Sequence, residues 1–147
     1  MKTENYMKLS FPAKSVNEGF ARAAVSAFAT SFDPTVEELV DLRTAVSEAV
    51  TNCIVHAYRE KSGTVYVTCR AYRNNRITVT VKDTGCGIED VIKAREPLYT
   101  SQPGSERSGL GFTVMESFCD RVKVKSKKDK GTVVTLEKIF KGKNNGG

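Results

Sequence analysis

Four short motifs follow one another in a fixed order, and they constrain what this chain can fold into more than any other feature. They are Glu48-Ala-Val-Thr-Asn52, Asp83-Thr-Gly-Cys-Gly87, Ser108-Gly-Leu-Gly-Phe112 and Gly131-Thr132. The first places an acid and an amide one helical turn apart, the next two are glycine turns, and the last is a late Gly-Thr pair. No Gly-x-x-x-x-Gly-Lys-Ser/Thr run occurs, so the chain is not a P-loop protein.

The hydrophobic periodicity around these motifs predicts an α+β domain with a half-covered antiparallel sheet. Apolar residues alternate in five segments, which predicts strands at residues 7–13, 65–71, 77–81, 122–126 and 132–138. Apolar residues at helical spacing predict helices at residues 16–32, 34–58 and 110–119. Residues 89–106 are predicted to be short helix and loop.

Two details of the helices are predicted as well. The buried stripe of the first helix is expected to consist of Phe20, Ala24, Ala27 and Phe28. Asp33 is expected to cap the second helix, with Pro34 at its first position. That helix should bury Leu39, Leu42, Val46, Val50 and Ile54 on one stripe.

The size of the chain, 147 residues, predicts one domain over residues 1–140 with a disordered tail at 141–147. No apolar run long enough to cross a bilayer and no secretory signal is present, so we expect a cytoplasmic protein with no membrane partner. The four cysteines are widely spaced and form no CxxC pair, which favours reduced thiols.

The net charge of +6 is unevenly distributed. Residues 121–143 hold nine basic and two acidic residues, so the rest of the chain is close to neutral. A basic strip of this kind binds nucleic acid or an acidic partner in some proteins, and in others it is a solvated strand face with a tail. No aromatic residue interleaves with Lys123, Lys125, Lys127 and Lys128, so we expect no direct nucleic-acid partner.

The long helix carries the first candidate chemistry. Glu48, Asn52 and His56 are each four residues apart and therefore share one helix face. Asn52 offers an amide oxygen to Mg²⁺, which prefers oxygen ligands and bridges phosphates. Glu48 is a candidate general base for an attacking hydroxyl. A solvent-facing polar stripe is the ordinary alternative, and His56 is assigned a structural role.

The two glycine turns have the features of a nucleotide site. Asp83 ends a predicted strand immediately before Gly85 and Gly87, and a buried carboxylate there accepts hydrogen bonds from the amino group of adenine. Guanine presents an acceptor at the same place, so one Asp can select the base. Gly109 and Gly111 open a helix whose free N–H groups bind phosphate, and Arg107 precedes them.

The four motifs resemble the N, G1, G2 and G3 boxes of the GHKL ATPase superfamily. Within it, the stretches 17–22, 47–52, 95–100 and 106–116 resemble the small bacterial anti-sigma factors that are also serine kinases, and above all the sporulation anti-sigma-F factors. The likeness covers roughly residues 7–138. It implies the GHKL (Bergerat) fold, a two-layer sandwich in which helices cover one face of a mixed, mostly antiparallel sheet.

The resemblance also implies roles for residues, and ATP and Mg²⁺ as cofactors. Glu48 corresponds to the catalytic base, Asn52 to the Mg²⁺ ligand, and Asp83 to the adenine reader. Residues 97–108 correspond to a mobile lid, and Arg22 is a candidate partner contact. The remaining nucleotide-binding positions are Gly85, Gly87, Arg107, Ser108, Gly109, Gly111 and Thr132.

The implied function is a homodimeric anti-sigma factor. It would sequester a sporulation-type sigma factor and phosphorylate a serine of its anti-anti-sigma antagonist with ATP. Gln102 stands where relatives tend to carry a basic lid residue, and the chain is more basic than expected.

Three alternatives stay open at this point. A general stress-type anti-sigma serine kinase has the same boxes, and a nucleotide-gated binding module would not need Glu48. A sensor histidine-kinase domain needs an acceptor histidine on another helix, and His56 is the only histidine.

Overall fold

The computed structural model describes residues 2–58, 62–87 and 111–142. Within these ranges the chain forms β1 (Asn5–Pro12), α1 (Val16–Ala29), a 3₁₀ turn (Thr30–Phe32), α2 (Val36–Thr51) and a π-helical continuation (Asn52–Ala57). It goes on with β2 (Thr64–Tyr72), β3 (Arg76–Asp83), α3 (Gly111–Phe118), β4 (Arg121–Lys127) and β5 (Gly131–Ile139). All eight predicted helices and strands are therefore confirmed, with ends shifted by a few residues.

The five strands form one sheet in the order β1-β2-β3-β5-β4, and each neighbouring pair is antiparallel. The predicted sheet was mixed, whereas the sheet of the described residues is antiparallel throughout. Tight hairpins join β2 to β3 and β4 to β5, and Asn74, Asn75 and Asp129 adopt the positive φ that such turns require. The turns of these two hairpins are too short for the crossover connection that a parallel strand pair would need, so the strands that they join are antiparallel.

Apolar and polar residues alternate along the strands, which gives the sheet one apolar and one polar face. Val65, Val67 and Cys69 of β2 are fully buried, and the same face of β3 and β5 buries Val79 and Leu136. The helices pack on this apolar face, so the α+β two-layer arrangement is confirmed. The core of the domain lies between the helix layer and the sheet.

The buried face of α1 differs from the predicted one. Ala21, Val25 and Ala29 are inaccessible to solvent, whereas Phe20 is 61% exposed. Phe28 packs only at the edge of the core. Small residues on the inner face let α1 lie close to α2, and spacing alone does not distinguish this face from the one next to it.

The start of α2 also corrects the prediction. Thr35, and not Asp33, is the N-cap: its hydroxyl accepts from the Glu38 N–H at 3.1 Å, and the Glu38 carboxylate accepts from the Thr35 N–H at 3.0 Å. Asp33 adopts a left-handed conformation that ends the preceding 3₁₀ turn. This reciprocal pair is a capping box, a stronger signal than an isolated aspartate.

Glu38 also fixes the end of the described chain. Its carboxylate accepts the backbone N–H groups of Lys141 and Gly142 at 2.7 and 3.1 Å. Burial opposes ionisation, but these bonds and those from Thr35 hold the pKa of Glu38 below its usual value. Residues 141 and 142 of the predicted tail are therefore bonded to α2, and residues 143–147 lie outside the described part of the chain.

The predicted stripe of the second helix is confirmed at Leu42, Val46, Val50 and Ile54, which are buried, whereas its first member, Leu39, is only partly buried against the core. No described helix is long and apolar enough to cross a membrane. All four cysteines are free thiols, and Cys53 and Cys69 are buried.

Candidate functional site

Asp83 occupies the last position of β3, on the face of the sheet that the helices cover. It is 4% exposed, and its Oδ1 accepts the backbone N–H groups of Gly85 at 2.9 Å and Thr132 at 3.2 Å. The Cys53 thiol, which donates to the Ala49 carbonyl at 3.5 Å, also lies beside the carboxylate. Burial raises the pKa of Asp83, and the bonds from Gly85 and Thr132, together with the neighbouring thiol, partly offset the increase. A carboxylate has about four lone-pair positions, so this one can accept a further donor.

Thr132 lies directly opposite Asp83 in the β3–β5 ladder. Its hydroxyl lies 2.8 Å from the hydroxyl of Ser126, which donates to the Gly131 carbonyl at 3.0 Å. Because a serine has one hydroxyl proton, this donation makes Thr132 the donor in the Thr132–Ser126 bond. The Thr132 oxygen is then left as an acceptor, like the carboxylate beside it.

The backbone around Asp83 is packed too closely for side chains. A Cβ on Gly131 would lie 2.2 Å from the Asp83 carbonyl oxygen, and the φ of Gly131 is +109°. A Cβ on Gly85 would lie 2.4 Å from the Ala57 carbonyl oxygen. Glycine is therefore required at both positions by close backbone approach, and Gly87 lies similarly against Lys127.

The end of the long helix holds the first glycine turn in place. The Tyr58 hydroxyl accepts the Thr84 N–H at 2.8 Å and donates to the Thr64 carbonyl at 2.7 Å. The Ala57 carbonyl accepts the Cys86 N–H at 3.0 Å. Helix and turn are therefore joined on both sides of Gly85.

Asn52 lies where α2 changes to π-helical geometry, which often marks a functional position. Its side chain approaches the start of α3, because a Cβ built on Gly111 would be 3.2 Å from the Asn52 Oδ1. The fold thus brings Asn52 of the first motif to Gly111 of the third. No group of three potential metal-ligating side chains occurs among residues 2–58, 62–87 and 111–142.

Glu48 lies one turn before Asn52 and lines a groove between α1 and α2. The groove has a volume of about 540 Å³ and is also lined by Arg22, Arg43 and Ser47. Arg22 forms an ion pair with Glu18 at 3.8 Å. The predicted base and the predicted partner contact therefore share one groove.

Several predicted site residues cannot be placed. Arg107, Ser108 and Gly109, the predicted lid at 97–108 and Gln102 lie outside the described residues. Within those residues, the structure brings Asp83 and Thr132 together, and it brings Asn52 to Gly111.

Sequence reasoning missed Cys53, Tyr58 and Ser126. Cys53 looked like a core residue of the apolar stripe, and nothing in the sequence shows that its thiol reaches Asp83. Ser126 could have been found, because a tight β4–β5 hairpin places it opposite Thr132.

Comparison with known proteins places this site in a family. The sequence pattern of the histidine kinase-like ATPase domain matches residues 11–138. The chain is 55% identical over 137 residues to the anti-sigma F factor of Clostridium acetobutylicum, and the aligned region covers 93% of this chain and 95% of that protein. It is 52% identical over 145 residues to the anti-sigma F factor of Caldanaerobacter subterraneus, covering 98% and 99%.

Solved structures share the fold at low sequence identity. The RsbU and RsbW domains of a Mycobacterium tuberculosis protein superpose with a TM-score of 0.68 at 17% identity, over 92% of this chain and 32% of that one. The catalytic domain of the histidine kinase ThkA superposes with a TM-score of 0.57 at 13% identity, over 96% and 99%.

Proposed function

Because the chain belongs to the anti-sigma F factors, within the family of histidine kinase-like ATPase domains, we propose that it binds and inhibits a sporulation-type sigma factor and phosphorylates a serine of that factor's antagonist protein. The observation that carries this proposal is the buried Asp83 carboxylate bonded to Thr132, near a helix on which Asn52 approaches Gly111 and Glu48 lies one turn earlier. ATP supplies the phosphoryl group, and Mg²⁺ neutralises charge on its phosphates.

Asp83 and Thr132 read the base. Both present acceptor oxygens, which match the exocyclic amino group of adenine and oppose the carbonyl of guanine. Their own backbone partners keep the carboxylate oriented before any nucleotide arrives. Gly85 and Gly87 form the adjacent wall, where the absence of side chains leaves the backbone accessible.

Asn52 is the proposed Mg²⁺ ligand, and the backbone at Gly111 is part of the proposed phosphate site. Their proximity supports this assignment, since the amide oxygen and the N-terminal end of α3 face one region. Arg107, Ser108 and Gly109 are proposed to complete it, under a lid at 97–108.

Glu48 is the proposed general base. Lying in the α1–α2 groove, its carboxylate can accept the proton of a serine hydroxyl that a partner segment brings into the groove. Arg22 lines the same groove and is the proposed contact with the partner.

The partner surface continues on α1. Val16 is 80% exposed and Phe20 is 61% exposed, which leaves apolar area that a protein partner or a second copy of the chain can cover. This supports the proposed homodimer and the proposed contact with protein partners.

The experiment combines two assays with purified partners from the same genome. Transcription by RNA polymerase carrying candidate sigma factors should be inhibited by the protein with ATP. Labelled phosphate should pass to a serine of the antagonist in the wild type and in Glu37→Gln, an exposed control on the same helix, but not in Glu48→Gln.

Arg22→Glu should weaken the complex, whereas Arg73→Glu, at a position 85% exposed beside Glu4, should not. Inhibition without any phosphate transfer would leave a nucleotide-gated binding module in place of a kinase. Absence of both would overturn the proposal.

A further inference from the structure

The helix-free face of the sheet carries an unusual concentration of positive charge. Every second residue of each strand points to this face, and the register of the strands lines these residues up in rows that cross all five strands. One row runs Ser10, Tyr66, Lys82, Val133 and Lys125. The next runs Lys8, Thr68, Thr80, Thr135 and Lys123.

Seven cations on this face form no ion pair within the described part of the chain. Among the described strand residues, the face has one carboxylate, Glu137, and it is already paired with Arg76. An open face of an antiparallel sheet ordinarily mixes charges of both signs. The seven cations are Lys8, Arg70, Lys82, Arg121, Lys123, Lys125 and Lys127.

The positive charges are regularly spaced along β4. Its four basic residues alternate with residues of the core face, so successive charges stand roughly 7 Å apart. Like charges held in a row repel one another, and a polyanion lying along the row relieves that repulsion. An extended chain of phosphates supplies charge at a comparable interval.

Aromatic rings lie on the same face, although none is near these lysines in the sequence. Tyr66 is 44% exposed and Tyr6 is 64% exposed. Tyr66 is directly opposite Lys82 across β2 and β3. Nearby, the Arg76 guanidinium already stacks 4.8 Å above the Tyr72 ring. Exposed rings beside cations on a flat sheet are the elements with which sheet surfaces stack unpaired bases.

We propose that the helix-free face of the sheet binds single-stranded nucleic acid, with the β4 cations along one stretch of phosphates and with Tyr66 and Tyr6, three and four strands away, stacking on bases of an adjoining stretch. The absence of a nearby aromatic residue in the sequence led to the opposite expectation, whereas the sheet places Tyr66 beside Lys82 on the face that also carries the β4 cations. Asp83 and Thr132 point to the other side of the sheet, so this surface is separate from the proposed ATP site.

Fluorescence anisotropy tests the proposal with a labelled oligothymidylate of about 16 nucleotides, the upper end of known site sizes. Each titration is run first without nucleotide and then with saturating Mg²⁺-ADP, which occupies the ATP site. Affinity is measured between about 50 and 200 mM salt. We expect binding that persists with ADP present and that weakens steeply as salt is raised.

Two pairs of variants separate charge from stacking. Lys123→Glu with Lys125→Glu should reduce the slope of log affinity against log salt by about 1.4, since each contact to a single strand contributes about 0.7. Lys14→Glu with Lys141→Glu makes the same charge change at exposed positions off this face, and should leave that slope nearly unchanged. Tyr66→Ala should weaken binding about fivefold or more, whereas Tyr66→Phe should retain it.

Each competing result overturns the proposal. Loss of binding on adding ADP would place the oligonucleotide in the nucleotide site. Equal weakening by both lysine pairs would indicate non-specific attraction to a basic protein. If polyglutamate competes as well as the oligonucleotide and Tyr66→Ala has no effect, the surface serves an acidic protein segment. Circular dichroism and retained ADP binding establish that each variant is folded.

Discussion

Tyr58→Phe removes one oxygen atom that joins three parts of the fold. The Tyr58 hydroxyl accepts the Thr84 N–H at 2.8 Å, donates to the Thr64 carbonyl at 2.7 Å, and lies 3.2 Å from the Thr84 hydroxyl. The ring itself is 8% exposed, so phenylalanine fills the same space without a cavity. The change therefore tests hydrogen bonding alone.

The expected loss of stability follows from those contacts. A net hydrogen bond contributes about 1 kcal/mol, and a donor left unpaired in the interior costs about 1–3 kcal/mol. Thr84 is exposed, so water can reach part of the vacated site. We therefore expect the free energy of unfolding to fall by about 1–2 kcal/mol.

The same change should weaken nucleotide binding. Thr84 follows Asp83 directly, so its N–H bond to Tyr58 helps to fix the turn in the free protein. If binding must reorder a released turn at a cost of about 1 kcal/mol, ADP affinity falls about fivefold. Urea unfolding and ADP titration measure the two effects, with Tyr6→Phe at an exposed tyrosine as the matched control. Loss of less than about 0.3 kcal/mol together with unchanged ADP affinity would refute this account of the turn.

Four further results are expected. Asp83→Asn should weaken ATP binding by a few kcal/mol while retaining the fold, because the amide offers adenine the wrong donor pattern, and an ATP and GTP titration checks this. Burial raises the pKa of Asp83 in the folded state, so ionisation of this carboxyl group opposes folding. The free energy of unfolding of the wild type, relative to that of Asp83→Asn, should therefore decrease as pH rises through the range in which aspartate ionises. Urea unfolding at a series of pH values measures this difference. Glu48→Gln should slow phosphate transfer roughly 10²–10⁴-fold with ATP affinity unchanged, in a single-turnover assay. Gly131→Ala should lower the free energy of unfolding by about 2 kcal/mol or more, because its φ is +109° and its Cβ would clash with the Asp83 carbonyl; a smaller loss in thermal or urea unfolding would contradict that reasoning.

The elements of the fold were predictable from the sequence because their signals are local. Strand alternation depends only on neighbours two residues apart, and the stripe through Leu42, Val46, Val50 and Ile54 repeats every four residues. The buried face of α1 was predicted wrongly, since Phe20 and Val25 lie on adjacent apolar stripes. Only the close approach of α1 to α2 selects the one with small residues.

The candidate site was predictable as a set of motifs but not as a set of contacts. Asp83 and Thr132 are 49 residues apart in sequence, and their hydrogen bond depends on β5 inserting between β3 and β4. The Cys53 thiol reaches Asp83 from the helix layer, a contact that no spacing rule encodes. Motif order indicates that such residues meet, whereas the geometry of the meeting depends on tertiary packing.

Strand register determines which side chains lie on each of the two faces of the sheet. Asp83 and Thr132 point to the helix layer, whereas Lys82 and Val133, one residue away on the same strands, point to the helix-free face. A slip of one residue would move the carboxylate out of the proposed nucleotide site and bury a lysine in its place. The hairpin turns at Asn74–Asn75 and at Asp129–Gly131 oppose that slip within β2–β3 and within β4–β5, because their positive φ angles fix the pairing of the strands they join. The turn residues, which contact neither proposed ligand, therefore help to determine on which surface each chemical group lies.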